Sequence, residues 1–162
     1  MASRSKYSAG LLAYRLTPDV EVLIVHPGGP FWKNKDEGAW SIPKGEYRPD
    51  DEDPLDVARR EFAEELGTTP PAAGYEPLGS VKLKSGKQIH AWSVALDLDA
   101  DAIVSNTFSL EWPPKSGKQA EFAEVDRATW CDPDEARAKL NPAQGPLVDR
   151  LVDYVSGIAS GK

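Results

Sequence analysis

Residues 45–68 read GEYRPDDEDPLDVARREFAEELGT, and three glutamates, Glu61, Glu64 and Glu65, crowd into five consecutive positions near its end. Helix punctuation surrounds them. Asp53 has the side chain of an N-cap, Pro54 suits the first helical position, Asp56 adds negative charge to the first turn, and Gly67 falls just past the end. These signals predict a helix over about residues 54–66. Leu55, Ala58, Phe62 and Leu66 recur every three or four positions and form its buried stripe. At about 100° per residue, the three glutamates occupy an arc of roughly 100° on another side. Acids spaced three and four apart repel one another. A hard divalent cation such as Mg²⁺ or Mn²⁺, which prefers carboxylate oxygens, offsets that repulsion; the plain alternative is a solvated helix face.

The flanking sequence supplies strands. SAGLLAYRL and VEVLIVH are apolar and β-branched, and the turn-prone TPD separates them. HPGGPFWKNKDEGAW then breaks regular structure, a long loop carrying Phe31 and Trp32. WSIP reads as a short strand that ends at Pro43. Beyond the helix, LGSVKLKSGKQIHAWSVALDLD alternates in two arms about Ser85-Gly86 and predicts a hairpin, while TFSLEW and EVDRATWCD add further strands. Asp132 followed by Glu135 caps a short helix, and Leu147, Leu151, Tyr154, Val155 and Ile158 mark a final amphipathic one. This order predicts an α/β fold, one domain over residues 1–162 with a mixed β-sheet sandwiched between helices.

Composition sets limits on function. The chain of 162 residues is long enough to bury one real core, and no stretch is apolar enough to span a membrane. The opening MASRSKYSAG lacks the apolar core of a secretory signal, and the single cysteine, Cys131, has no internal disulfide partner, so a cytoplasmic, reducing home is expected. A net charge of −7 argues against a duplex nucleic-acid binder, which gains affinity by covering phosphates with Lys and Arg. Whether the protein is a monomer or a homodimer is open.

GEYRPDDEDPLDVARREFAEELGT resembles the signature of the Nudix hydrolases, in which a glycine and an acidic residue precede Arg-Glu, an aliphatic or aromatic position, Glu-Glu and Gly. Glu52, Arg60, Glu61, Phe62, Glu64, Glu65 and Gly67 stand at matching positions; six residues instead of five separate Gly45 from Glu52, and Thr68 replaces an aliphatic residue. WSIPKGE, residues 40–46, is similar to the branch that hydrolyses diadenosine polyphosphates or diphosphoinositol phosphates. The resemblance implies the Nudix fold with its loop-helix-loop box, and metal-dependent attack of water on a phosphoanhydride of a nucleoside diphosphate-linked small molecule, most simply a dinucleoside polyphosphate or nucleotide. Diphosphoinositol phosphate or nucleotide-sugar hydrolysis is the alternative within enzymes. A nucleotide-sensing binding module is the alternative outside them.

By the same resemblance, Glu61, Glu64 and Glu65 hold two or more Mg²⁺ or Mn²⁺ ions, with the Gly45 carbonyl as a further ligand. Glu61, Glu64 and Arg60 belong to the catalytic group, Arg60 by pairing with Glu52 to buttress the site. The family often supplies another glutamate before a Trp-containing strand, a place that Glu124 fits, with Glu121 next. Among lysines able to meet phosphates, Lys44 and Lys84 are favoured over Lys82, Lys87, Lys115 and Lys118. Trp112, followed by prolines and a basic loop, is preferred to Trp32 and Trp92 for stacking on a base. His26 and His90 stand in strand contexts and are read as packing or hydrogen-bonded residues, and Cys131 as buried.

Overall fold

A computed structural model describes residues 6–16 and 18–159. At its centre lies β1 (Tyr7–Leu16), whose residues 8–14 are all buried. A strand covered on both faces carries a continuous apolar run in place of alternation, which is how SAGLLAYRL reads. β1 pairs antiparallel with β2 (Val20–Pro27) and with β3 (Lys44–Tyr47), and parallel with β5 (Gln88–Ala95). β4 (Glu76–Lys82) pairs with β5 at one edge and β8 (Val125–Cys131) with β2 at the other, giving the order β4-β5-β1-β2-β8 with β3 on β1. β6 (Thr107–Glu111) and β7 (Gln119–Ala123) form a separate two-stranded ribbon.

Alternation along β1 divides the core into two layers. Ala9, Leu11 and Ala13 pack with Val57, Ala58, Phe62 and Leu66 of α1 (Pro54–Leu66) on one face. Leu12 and Tyr14 pack on the other with Ala136 of α2 (Pro133–Lys139) and Leu147, Val148 and Leu151 of α3 (Gly145–Ala159). The mixed sheet between helices is therefore the expected one. Among the described residues no helix is long and apolar enough to cross a membrane.

α1 begins and ends where its punctuation lies. The Asp53 carboxylate accepts from the Asp56 N–H, and Gly67 closes the helix by donating its N–H to the Ala63 carbonyl. Phe62 is wholly buried between helix and sheet. Phe62→Ala is expected to cost about 3–5 kcal/mol, read as a lower midpoint in urea unfolding at an unchanged slope.

Two segments differ from the expectation. WSIP makes isolated bridges, Val25 to Ser41 and Trp40 to Leu140, and meets β1 through one backbone bond, Leu11 N–H to the Pro43 carbonyl at 3.1 Å, while the β1 ladder itself starts at Lys44. β7 carries no signal in the sequence: exposed Gln119 and Glu121 interrupt its half-buried residues, so no apolar run marks it. Ile158 of the last predicted stripe lies where no side chain is described.

Candidate active site

Sheet pairing sets Gly45 under α1. Gly45 sits opposite Ala9 in the β1–β3 ladder, and the Glu61 side chain lies directly across it: a Cβ at Gly45 would fall 2.1 Å from Glu61 Cδ. Only glycine leaves that space. On the helix the three box acids follow the rotation of the backbone, with Glu61 between Glu65 and Glu64. Glu65 is 9% exposed, and the side chains of Glu61 and Glu64 are 17% and 37% exposed. Packing on β3 thus turns Glu65 and Glu61 inward and leaves Glu64 at the rim.

Glu124 is brought to the same place by a chain of backbone bonds. Past α1, the Asn106 N–H donates to the Glu64 carbonyl at 2.8 Å, and the Asn106 carbonyl accepts from the Glu124 N–H at 2.8 Å. The Gly28 N–H holds the Glu124 carbonyl from the other side at 2.9 Å, and the Ser105 hydroxyl accepts from the Val125 N–H at 3.0 Å. Gly28 has no room for a side chain there, since a Cβ would lie 1.9 Å from the Ala123 carbonyl oxygen. Asn106, Ser105 and Gly28 are positioning residues that no local motif announces. The result is a cluster in which Glu61, Glu65 and Glu124 each offer a carboxylate oxygen within 4.8 Å of the others.

Electrostatics at this cluster are unfavourable without a cation. Burial, then the charges of Glu64 and Glu124, push the Glu61 carboxyl up to about 7 against the pull of Arg60. Burial pushes Glu65 up to about 8, although the neighbouring Lys44 charge and its backbone N–H hold it down. Glu124 is raised too, by burial and by Glu64. Lys44 is lowered by burial in spite of Glu65. Groups that prefer protons in a confined space release them to a metal ion. The all-oxygen donor set and the space above Gly45 fit Mg²⁺ or Mn²⁺.

The other candidates are scattered. Lys84 sits exposed in the β4–β5 turn, and no contact with the three carboxylates is present among the described residues. Lys87, by contrast, is ion-paired to Glu46 beside Gly45. Glu121 lies on the exposed ribbon with Thr107. Trp112 follows β6 and lines a cavity of about 420 Å³ with Gly29, Pro30, Lys33 and Phe122; Phe31 meets it edge-on at 5.5 Å. Ala123 and Asp126 line the same cavity, so it abuts the segment that bears Glu124. His90 stacks on Trp92 at 4.3 Å and Cys131 is buried, both packing roles as expected.

The NUDIX domain model matches residues 6–151. The chain belongs to the NUDIX family of hydrolases. No curated protein matches it significantly. Among solved structures it is similar to a Caenorhabditis elegans Ap4A hydrolase in a binary complex, with a TM-score of 0.63 and 21% identity over 93% of this chain and 98% of that one. It is also similar to the NUDIX domain of Shewanella oneidensis NrtR complexed with ADP ribose, at 0.62 and 16% over 96% and 90%. A MutT protein from Methanosarcina mazei gives 0.60 and 16% over 96% and 98%. At these identities the likeness is one of fold.

In this Nudix protein the additional residue between Gly45 and Glu52 is absorbed by a tight turn. The Asp51 and Glu52 N–H groups both donate to the Arg48 carbonyl at 3.0 Å, while the Glu52 carboxylate accepts from the Arg48 N–H. That bond and Arg60 lower the Glu52 carboxyl. Arg60 reaches Glu52 at 3.3 Å, Glu61 at 3.7 Å and Glu64 at 3.9 Å, so it holds the outer edge of the cluster without entering it. Arg60→Ala is expected to weaken divalent-cation affinity about 10- to 100-fold, as loss of an outer partner of a ligand does, measured by Mn²⁺ titration.

Proposed function

We propose that this protein, acting as one domain, hydrolyses a phosphoanhydride bond in a nucleoside diphosphate-linked substrate, a dinucleoside polyphosphate or a related nucleotide. The observation that carries the reading is the convergence of Glu61, Glu65 and Glu124 beside Lys44. Water oxygen bonds to phosphorus, the bridging P–O bond breaks, and the leaving phosphate takes the electron pair. Divalent cations held by Glu61, Glu65 and Glu124, with Gly45 and Glu64 in reach of the same helix edge, would offset the charge on the phosphate oxygens and acidify a water.

The residues of the chain do the rest. Glu124, held at both its N–H and its carbonyl, is fixed well enough to orient the water and take its proton. Lys44 brings a positive charge to a wall that is otherwise acidic and steers the phosphates inward. Lys84, exposed on its turn, meets the more distant part of a long substrate. Trp112 offers an aromatic face for a base beside the cluster. A cavity of about 150 Å³ lined by Lys44, Glu65, Glu124 and Ser41 leaves space for a phosphate-sized group.

The test is turnover of a panel with Mg²⁺ or Mn²⁺: dinucleoside polyphosphates, nucleoside triphosphates, ADP ribose, nucleotide sugars and diphosphoinositol phosphates. The Ap4A hydrolase and the ADP ribose complex among the similar structures suggest the first and third. Hydrolysis of one nucleotide class that chelator abolishes supports the reading. Turnover of diphosphoinositol phosphates alone replaces the substrate, and saturable nucleotide binding without turnover replaces the enzyme by a binding module.

A further inference from the structure

β1 and β2 pair through residues 14–16 and 20–22 and then part, and residues 40–47 enter the fork between them. Ser41 exchanges two backbone bonds with Val25 of β2, at 2.8 and 2.9 Å, and two positions on the Pro43 carbonyl accepts from Leu11 of β1 at 3.1 Å. Ile42 stands where the chain changes strand partner, and it makes no backbone–backbone hydrogen bond among the described residues. Side chains serve it instead. Gln144 Oε1 accepts from the Ile42 N–H at 2.9 Å, and the Ser41 hydroxyl donates to the Ile42 carbonyl at 2.7 Å. Gln144 Nε2 in turn donates to the Ser41 hydroxyl at 3.0 Å. A backbone N–H can only donate, so the Gln144 amide oxygen is the atom that faces Ile42.

Gln144 is 1% exposed and reaches the fork from the 142–144 turn ahead of α3. That turn is tied to the same segment: the Asn141 N–H donates to the Trp40 carbonyl at 2.9 Å, and the Gln144 N–H closes the turn on the Asn141 carbonyl at 2.8 Å. Just beyond the fork come Lys44 and Gly45. The Lys44 N–H faces the Glu65 carboxylate, and Gly45 lies under Glu61. Ser41 and Ile42, the two residues that the amide holds, line the cavity of about 150 Å³ together with Lys44, Glu65 and Glu124. A buried amide that bonds two walls of this cavity sets the height of its floor against α1.

We propose that Gln144 is a positioning residue of the site: by holding Ile42 and Ser41 at the fork it fixes Lys44 and Gly45, and through them the places of Glu65 and Glu61. The inference rests on the metal-dependent hydrolase reading above and adds to it a residue outside the box helix and outside the segment of Glu124. Without the amide, the buried Ile42 N–H has lost its acceptor, and the segment must shift to find another. Loss of an outer partner that orients metal ligands weakens cation binding roughly 10- to 100-fold.

The experiment measures Mn²⁺ affinity by calorimetric titration, with the urea midpoint alongside, in the intact protein, Gln144→Met, Gln144→Glu and Val148→Ala. Methionine keeps the length of the side chain and loses both polar atoms, so Mn²⁺ affinity is expected to fall roughly 10- to 100-fold. Glutamate keeps an acceptor for the Ile42 N–H and a second for the Ser41 hydroxyl, and is expected to restore the affinity. Val148→Ala truncates a residue of the same core layer that does not line the cavity, so it lowers the urea midpoint and leaves Mn²⁺ affinity unchanged. Should Gln144→Met fail to fold, Ser41→Ala removes the second partner of the amide and is expected to lower the affinity about 10-fold. Uptake as tight in Gln144→Met, or in Ser41→Ala in its place, as in the intact protein overturns the assignment of Gln144 and leaves the hydrolase standing, as does a loss that Gln144→Glu does not restore or an equal loss in Val148→Ala. No saturable uptake by the intact protein overturns the metal-dependent reading and the assignment together.

Discussion

Glu65→Gln is expected to lower kcat roughly 10³-fold while making the cation-free protein harder to unfold at alkaline pH. The rate effect follows from charge neutralisation at the phosphates, worth several kcal/mol when the ion is held correctly. The stability effect follows from burial. With its folded pKa pushed up to about 8 from 4.5, Glu65 binds a proton in the folded state over a range in which the unfolded chain has released it. Stability from this group is full below about pH 4.5 and falls as pH rises to about 8. A glutamine has no proton to lose. Urea midpoints at pH 6 and pH 9 should therefore drop in the intact protein and drop less in the variant, whereas kcat under saturating Mg²⁺ falls. A variant as active as the parent would remove Glu65 from the site.

Gly45→Ala is the second large effect, and it tests the floor of the cluster. The new methyl group would lie 2.1 Å from Glu61 Cδ and 2.3 Å from Glu61 Cγ and Oε1, so the carboxylate must leave its place or β3 must shift against Ala9. Overpacking of this kind costs about 1–3 kcal/mol. Displacing a ligand by about 1 Å can cost on the order of 10²-fold in rate. The expected result is a modestly destabilised protein with a rate loss out of proportion to it. Paired measurement of the urea midpoint and kcat separates the two, and full activity would mean that Glu61 does not work from the position it occupies.

The box helix was readable because its signals are local. Asp53, Pro54 and Gly67 cap it with their own side chains or backbone, and Phe62 and Leu66 repeat at helical spacing. Which acids face inward was not readable from the helix alone. Spacing puts Glu61, Glu64 and Glu65 on one arc, but the packing of α1 on β3 decides that Glu65 is buried and Glu64 is half-exposed beside Arg60. Glu124 could be picked out only through the family resemblance, by its place before a Trp-containing strand, and its arrival beside Glu61 depends on Asn106 and Gly28, far apart in the chain and joined only through backbone bonds. Likewise, the strand context of His26 fitted a hydrogen-bonded residue, while nothing in VEVLIVH signals that Asp126 is its partner across β2 and β8.

The carboxylate cluster is expected to exchange protons for a divalent cation. Calorimetric titration of the protein with Mn²⁺ at pH 7, repeated in buffers of different ionisation enthalpy, tests it most directly. With Glu61 at about 7 and Glu65 at about 8, saturable uptake accompanied by proton release is predicted, and both should vanish in a Glu61→Gln, Glu65→Gln double variant. Absence of saturable uptake by the intact protein, or uptake that persists unchanged in the double variant, would mean that Glu61 and Glu65 hold no divalent cation.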